Sequence, residues 1–188
     1  MYVVIEGIDT AGKSTQLDLL QKKYKEALFT KEPGGTKIGL KLRSMALNGE
    51  AKSPIAEMFL FLADRAEHIE EVININKNNL VISDRSMISG IAYASTFPLE
   101  KMIELNLLAT NNVLPSHVIL LELSPEELRH RLSQKQNDAI ELRGIEYLIN
   151  IQNRMKETIL KLGMNHLFID AGKKIEKIEK EIEDFLNE

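Results

Sequence analysis

The octapeptide Gly7-Ile8-Asp9-Thr10-Ala11-Gly12-Lys13-Ser14 has the spacing G-x-x-x-x-G-K-[ST] and follows a short apolar run at the start of the chain. Few short patterns constrain a fold so tightly, because each position has a physical reason. Gly7 and Gly12 let the backbone turn and bring its N–H groups up to phosphate oxygens. Lys13 offers a cation to β- and γ-phosphates, and Ser14 offers a hydroxyl to Mg²⁺. Such a loop works only between a strand and a helix, and both flanks read that way. Met1-Tyr2-Val3-Val4-Ile5 is a β-branched run suited to a buried parallel strand. From Ser14 to Lys25, Leu17, Leu20 and Tyr24 recur at helical spacing. The chain is expected to bind a nucleoside triphosphate through residues 7–15, from Gly7, Ile8, Asp9, Thr10 and Ala11 to Gly12, Lys13, Ser14 and Thr15.

The rest of the sequence alternates strands and helices. Strands are expected at Ala27–Thr30, Leu80–Ser83, His117–Leu123 and His166–Ile169. Helices are expected at Leu40–Leu47, from Ser53-Pro54 onward, around Ile88–Ala94 and Leu99–Thr110, after Ser124-Pro125, over Tyr147–Leu162 and over Lys173–Leu186. The helix opened by Ser53-Pro54 carries Ile55, Met58, Phe59, Leu62, Ala66 and Ile69 as its apolar face. This order predicts an α/β fold of three layers, a five-stranded parallel sheet with helices on both faces. Its 188 residues suit one domain, 1–188. A polar stretch at about 134–144 interrupts the pattern. Ligands of such sheets bind beyond the carboxyl ends of the strands. The phosphate loop, the Glu32–Thr36 turn and Asp84-Arg85 all fall there.

Composition removes several classes. The chain has no cysteine, so disulfides and thiolate metal sites are excluded. A net charge of −4 argues against a general nucleic-acid binder. No apolar run approaches the about 18 residues of a membrane span. With a strand beginning at Met1, a leader has no room, and a cytoplasmic location is expected. Seven of the 24 basic residues are arginine: Arg43, Arg65, Arg85, Arg129, Arg131, Arg143 and Arg154. In a lysine-rich chain these are candidates for bidentate phosphate binding, with Arg154 expected to be a plain exposed helix residue. The four histidines have no ligand spacing and read as structural or solvated. A guanine-specific switch would need N-K-x-D. Asn76-Lys77-Asn78-Asn79 lacks the acid and precedes a strand instead of following one.

Four segments stand out together: Glu6-Gly7-Ile8-Asp9, Thr30-Lys31-Glu32-Pro33-Gly34-Gly35-Thr36, Phe61-Leu62-Ala63-Asp64-Arg65, and Asp84-Arg85-Ser86-Met87-Ile88-Ser89-Gly90 with Tyr93 behind it. In order and spacing they resemble thymidylate kinases, along essentially the whole chain. The resemblance implies a P-loop fold with a mobile lid at about 134–144, usually a homodimer. It implies the reaction of ATP with dTMP to give ADP and dTDP, with Mg²⁺. It also implies roles. Arg85 holds the acceptor phosphate, and Arg65 reaches the base. Phe61 stacks on the base, and Tyr93 crowds the sugar 2′ position. Ser89 and Gly90 line the base pocket, and Arg43 lies near the acceptor phosphate. Asp84 orients Mg²⁺ through water, alongside Ser14. Asp9 places Mg²⁺, the acceptor sugar or Arg85, or simply braces the loop. Phe61 sits among Phe59, Leu60 and Leu62 and can also be read as core. Its place one turn before Arg65 favours the base.

The dTMP phosphate is largely dianionic at neutral pH, so no strong general base is needed and charge neutralisation should dominate. Lys13, Arg85 and Asp9 are therefore the expected catalytic group. The sequence departs from the family at one point. Thr10 stands where many members carry a loop arginine, and the lid reads Asp138-Ala139-Ile140-Glu141 without the arginine others place there. Arg131, Lys135 and Arg143 are the candidate substitutes, Lys135 being the least constrained. Two other readings stay open, a kinase for a different deoxynucleoside monophosphate and a non-catalytic nucleotide switch. The acceptor-side residues speak against the switch.

Overall fold

Five apolar runs pair into one parallel sheet because the central three are buried and can satisfy their backbone only against another strand, while the two outer ones are partly exposed. The computed structural model describes residues 1–134 and 144–187. Its strands are β1 (Tyr2–Glu6), β2 (Leu28–Lys31), β3 (Val81–Asp84), β4 (His117–Glu122) and β5 (His166–Asp170), in the order β2-β3-β1-β4-β5. Every pairing is parallel, and β1 lies between β3 and β4. The chain leaves β1 toward one flank and later returns to the other. The crevice at the carboxyl end of β1 is therefore a topological switch point.

The helices are α1 (Lys13–Lys23), α2 (Lys37–Leu47), α3 (Pro54–His68), α4 (Met87–Tyr93), α5 (Leu99–Ala109), α6 (Pro125–Ser133), α7 (Ile145–Lys161) and α8 (Ile175–Leu186). A π-helical turn, Ile69–Asn74, continues α3. Helices α1 and α8 pack together, while α3, α4, α5 and α7 form a second group. The alternation along β1 sends Tyr2, Val4 and Glu6 to the α4 side and Val3 and Ile5 to the other. Helix starts follow their caps. Thr36, Ser53, Ser86 and Ser124 each accept a backbone N–H within the first turn. Thr36 accounts for α2 beginning at Lys37, earlier than Leu40.

Two sequence expectations change here. On α3 the buried residues are Met58, Leu62, Asp64, Arg65 and His68, while Ile55 and Phe59 are more than half exposed and Ala66 is exposed. The inward stripe is thus partly polar, and apolar periodicity alone pointed to the wrong edge of it. Arg154 is not a solvated helix residue. Its Nε donates to the Ile91 carbonyl at 3.1 Å and Nη2 to the Phe97 carbonyl at 2.8 Å, closing the end of α4. Of the lid segment, only residues 134 and 144 are described, so Lys135, Arg143 and Asp138 to Glu141 lie outside the described residues.

Candidate active site

Strand β1 ends at Glu6, and the loop turns at once because Gly7 has no side chain. A Cβ there would sit 2.9 Å from the Leu121 carbonyl oxygen on β4. Gly12 precedes α1 in a left-handed conformation at φ 94°, so α1 starts with free N–H groups facing the loop. Lys13 is buried, and its ammonium donates to the Gly7 and Ile8 carbonyls at 3.0 and 3.3 Å. Burial and the repulsion of Arg85 pull it down to about 8. Ser14 and Thr15 are exposed, and Ser14 faces the open cavity beside the loop. Asp9, Thr10, Gly12 and Lys13 line the same cavity.

Arg131 closes that cavity from α6. Its Nε donates to Glu127 at 2.6 Å, Nη1 to the Thr10 carbonyl at 2.9 Å and Nη2 to the Ala171 carbonyl at 2.6 Å. The ion pair with Glu127 thus holds the guanidinium against the phosphate loop.

A second cleft opens on the other side of Asp9. Arg85 ends β3 in the left-handed region at φ 69°, uncommon for a residue with a Cβ. Its N–H bonds to the Ile5 carbonyl and its carbonyl accepts from Ser83 Oγ, which together hold the turn. Nη2 donates to Asp9 Oδ1 at 2.5 Å, and Nη1 donates to Ser89 Oγ at 3.0 Å and the Gly7 carbonyl at 3.1 Å. The Ser89 hydroxyl in turn donates a hydrogen bond to Glu6 Oε2 at 2.5 Å, and Ser86 donates to Oε1 at 2.7 Å. Glu6 is fully buried, and burial raises its carboxyl against the opposing pull of Ser89, Arg85, Ser86 and Lys13. Sequence reasoning quoted Glu6 without giving it a task, and its task is to anchor Ser89 and, through it, Arg85.

Arg43, Phe61, Arg65, Ser89, Gly90 and Tyr93 all line this second cleft, joined by Tyr147 from α7. Arg43 donates to the Pro33 carbonyl at 2.9 Å. Phe61 is half-buried and outside the hydrophobic core. The Arg85 guanidinium stands 5.5 Å from the Tyr93 ring centre. Burial raises the Tyr93 phenol far above its ordinary value. Arg65 is 4% exposed and pairs with Glu32 at 2.8 Å. Behind Arg65 stand Glu32, which the sequence places at the site only as part of the Glu32–Thr36 turn, and His68 and Asn106, which no spacing marks; the three meet only through the fold.

Asp84 Oδ1, Thr10 Oγ1 and the Tyr93 hydroxyl are buried without a hydrogen-bond partner among the described residues. Orphaned buried polar atoms are rare and mark places where something else supplies the partner. Asp84 carboxylate and Ser14 hydroxyl are hard oxygen donors, suited to a Mg²⁺ that keeps waters and phosphate oxygens as its other ligands. Among the described residues no cluster of three or more acidic or histidine side chains forms a self-sufficient metal cage.

A phosphate loop at the switch point, facing a second cleft with its own arginines across one shared aspartate, defines a P-loop phosphotransferase with two substrates. The family model described as thymidylate kinase matches residues 5–182. A thymidylate kinase of Aliarcobacter butzleri is 75% identical over 187 residues, covering 100% of this chain and 99% of the relative. Those of Wolinella succinogenes and one Campylobacter jejuni strain are 52% and 47% identical, covering 97% and 99% of this chain and 96% and 100% of theirs. The chain belongs to the thymidylate kinase family.

Proposed function

We propose that this chain transfers the γ-phosphoryl group of ATP to dTMP, giving ADP and dTDP, with ATP in the phosphate-loop cavity and dTMP in the second cleft. One observation carries this division. Asp9 lines both cavities, so the two substrates would meet at the residue that holds Arg85. An attacking phosphate oxygen and the group it attacks repel each other, and the site answers with fixed cations on both sides. Lys13 leaves its resting carbonyls for the β- and γ-phosphates. Arg85, held by Asp9 and Ser89, takes the dTMP phosphate, with Arg43 nearby. Mg²⁺, when bound by Ser14 and Asp84 through water, would supply further neutralisation of the triphosphate. Arg131 is the candidate among the described residues, and it already touches the loop, while Lys135 and Arg143 lie outside them.

A coupled ADP-release assay over a panel of nucleoside monophosphates tests the reading. dTMP is expected to be the preferred acceptor, and a stronger response to another monophosphate would overturn the choice of substrate. Phe61 gives a sharper check on the cleft. Its ring sits in the cleft beside Arg65, where a base would stack, a contact worth roughly 1–3 kcal/mol. Phe61→Ala should weaken dTMP binding by that amount in calorimetry and leave ATP binding unchanged. Equal losses for both ligands would overturn the base contact assigned to Phe61.

The homodimer also belongs to this proposal. Helices α2 and α3 pack on each other and expose Ile38 (49%), Leu40 (56%), Leu47 (55%), Ile55 (53%) and Phe59 (55%). Such a concentration of apolar side chains on neighbouring helices suits a self-complementary contact. Among the described residues no helix is long and apolar enough to cross a membrane. The cytoplasm, where ATP is available, remains the proposed location.

A further inference from the structure

Behind the second cleft runs a chain of side-chain hydrogen bonds that phosphoryl transfer itself does not use. Thr30 Oγ1 on β2 lies 2.8 Å from His68 Nε2 at the end of α3. His68 Nδ1 donates to Glu32 Oε1 at 2.8 Å, and Glu32 Oε2 accepts Nε of Arg65 at 2.8 Å. Burial alone would raise the Glu32 carboxyl, yet Arg65 and His68 hold it below its ordinary value. Glu32 is then an acceptor only, which assigns the Nδ1 proton to His68. Arg65 Nη1 donates to Asn106 Oδ1 at 2.5 Å, and the Asn106 amide donates to the Met102 carbonyl at 2.7 Å. His68 and Asn106 have no exposed surface at all.

The geometry leaves Arg65 with a defined outer edge. Of its five N–H donors, Glu32 and Asn106 take two, and Nη2 lies 3.4 Å from the Ser86 carbonyl. The remaining edge lies over Gly90, where an added Cβ would stand 2.5 Å from Nη2 and 2.9 Å from Nη1. Any side chain at position 90 would collide with the guanidinium. Glu32 alone would hold the fork at Nε, a single hinge point about which the far Nη end could still tilt. Asn106, on a different helix, fixes the far end. His68 in turn holds the carboxylate plane through its second oxygen.

We propose that Glu32, His68 and Asn106 are positioning residues for base selection, fixing Arg65 so that its outer N–H groups meet an acceptor at the 4-position of the incoming base. The proposal rests on the reading of Arg65 as the base-facing residue. Thymine and uracil carry an oxygen at that position, and cytosine carries an amino group. A rigid donor edge pairs with the oxygen and is left unpaired, and buried, against the amino group. A guanidinium free to swing away would lose that penalty. The same residues could instead only tie β2, α3 and α5 together, and then every substrate would suffer alike.

The test measures kcat and KM for dTMP, dUMP, dCMP and ATP, with thermal melts, in Asn106→Leu, His68→Leu, His68→Asn and Thr30→Val. Asn106→Leu removes the acceptor at similar volume, and His68→Asn keeps an amide donor where Nδ1 stood. Thr30→Val is isosteric and tests the outermost link if a more central variant does not fold. Asn106→Leu and His68→Leu are expected to raise KM for dTMP about tenfold and to shrink the dTMP-to-dCMP ratio of kcat/KM by about the same factor, with KM for ATP nearly unchanged. His68→Asn should recover most of the ratio, and Thr30→Val should shift it in the same direction by a smaller factor. A lower melting temperature with the ratio intact in the folded variants overturns the proposal. Arg65→Lys separates the two layers of the argument. If it leaves the ratio intact, the base-facing reading of Arg65 fails. If it collapses the ratio while the Asn106, His68 and Thr30 variants keep it, the positioning role fails and the base-facing reading stands.

Discussion

Lys13→Ala is expected to fold normally and to turn over about 10²–10³ times more slowly, as is Arg85→Ala, because each removes a preorganised cation from the charge that develops during transfer. The two should differ in binding. Lys13 lies in the cavity proposed for ATP and Arg85 lines the cleft proposed for dTMP, so only the second should raise KM for dTMP. Lys13 carries a pH signature as well. Burial and Arg85 hold it at about 8, and the negative charge of a bound triphosphate should raise it. Nucleotide binding should therefore take up a proton at pH values above about 8, and affinity should fall as pH rises through that value. Calorimetry in two buffers of different ionisation heat reads the uptake, which Lys13→Ala should abolish. Near-normal turnover in either variant, with an intact melt, would remove that residue from the catalytic group.

Arg131→Ala is expected to cost ~10³ in single-turnover phosphoryl transfer while leaving dTMP affinity unchanged. The prediction comes from placement. Thr10 brings no cation into the loop, and Arg131 is the guanidinium that bonds its carbonyl from outside. On nucleotide binding it needs only to exchange a carbonyl partner for a phosphate oxygen. Arg131→Lys should recover part of the rate, since charge is kept and the fork is lost. Parent-rate transfer by Arg131→Ala would show that Lys13, Arg85 and bound Mg²⁺ suffice, or that a cation of the 135–143 stretch takes the task.

The fold was legible because its signals are local. A β-branched run, a glycine turn and a capped helix each announce themselves within a dozen residues, and alternation does the rest. The phosphate-loop residues were legible for the same reason. The acceptor side was reached through resemblance, and its cleft-lining residues Phe61, Arg65, Ser89, Gly90 and Tyr93 do converge. What stayed hidden was the support behind them. Glu6 reaches Ser89 across 83 residues of chain, Arg65 reaches Asn106 across 41, and His68 reaches Glu32 across 36. A buried histidine or asparagine carries no periodicity that distinguishes it from a solvated one. The apolar face of α3 was misjudged for a related reason, since Arg65 and His68 occupy positions that a hydrophobic pattern leaves blank.

The central place of β1 divides labour along the chain. Residues that face the proposed dTMP cleft come almost entirely from the β2–β3 flank and the helices attached to it, whereas Arg131 and Ala171, beside the ATP cavity, come from the β4–β5 flank. Asp9, in the loop that follows the central strand, lines both cavities, while Tyr147 and Arg154 of α7 join the β4–β5 flank to the acceptor side. A lineage altering its acceptor would therefore find most of the residues to edit between Glu32 and Tyr93, with Asp9 and Tyr147 the outlying members. The sheet makes the two specificities in large part separately heritable.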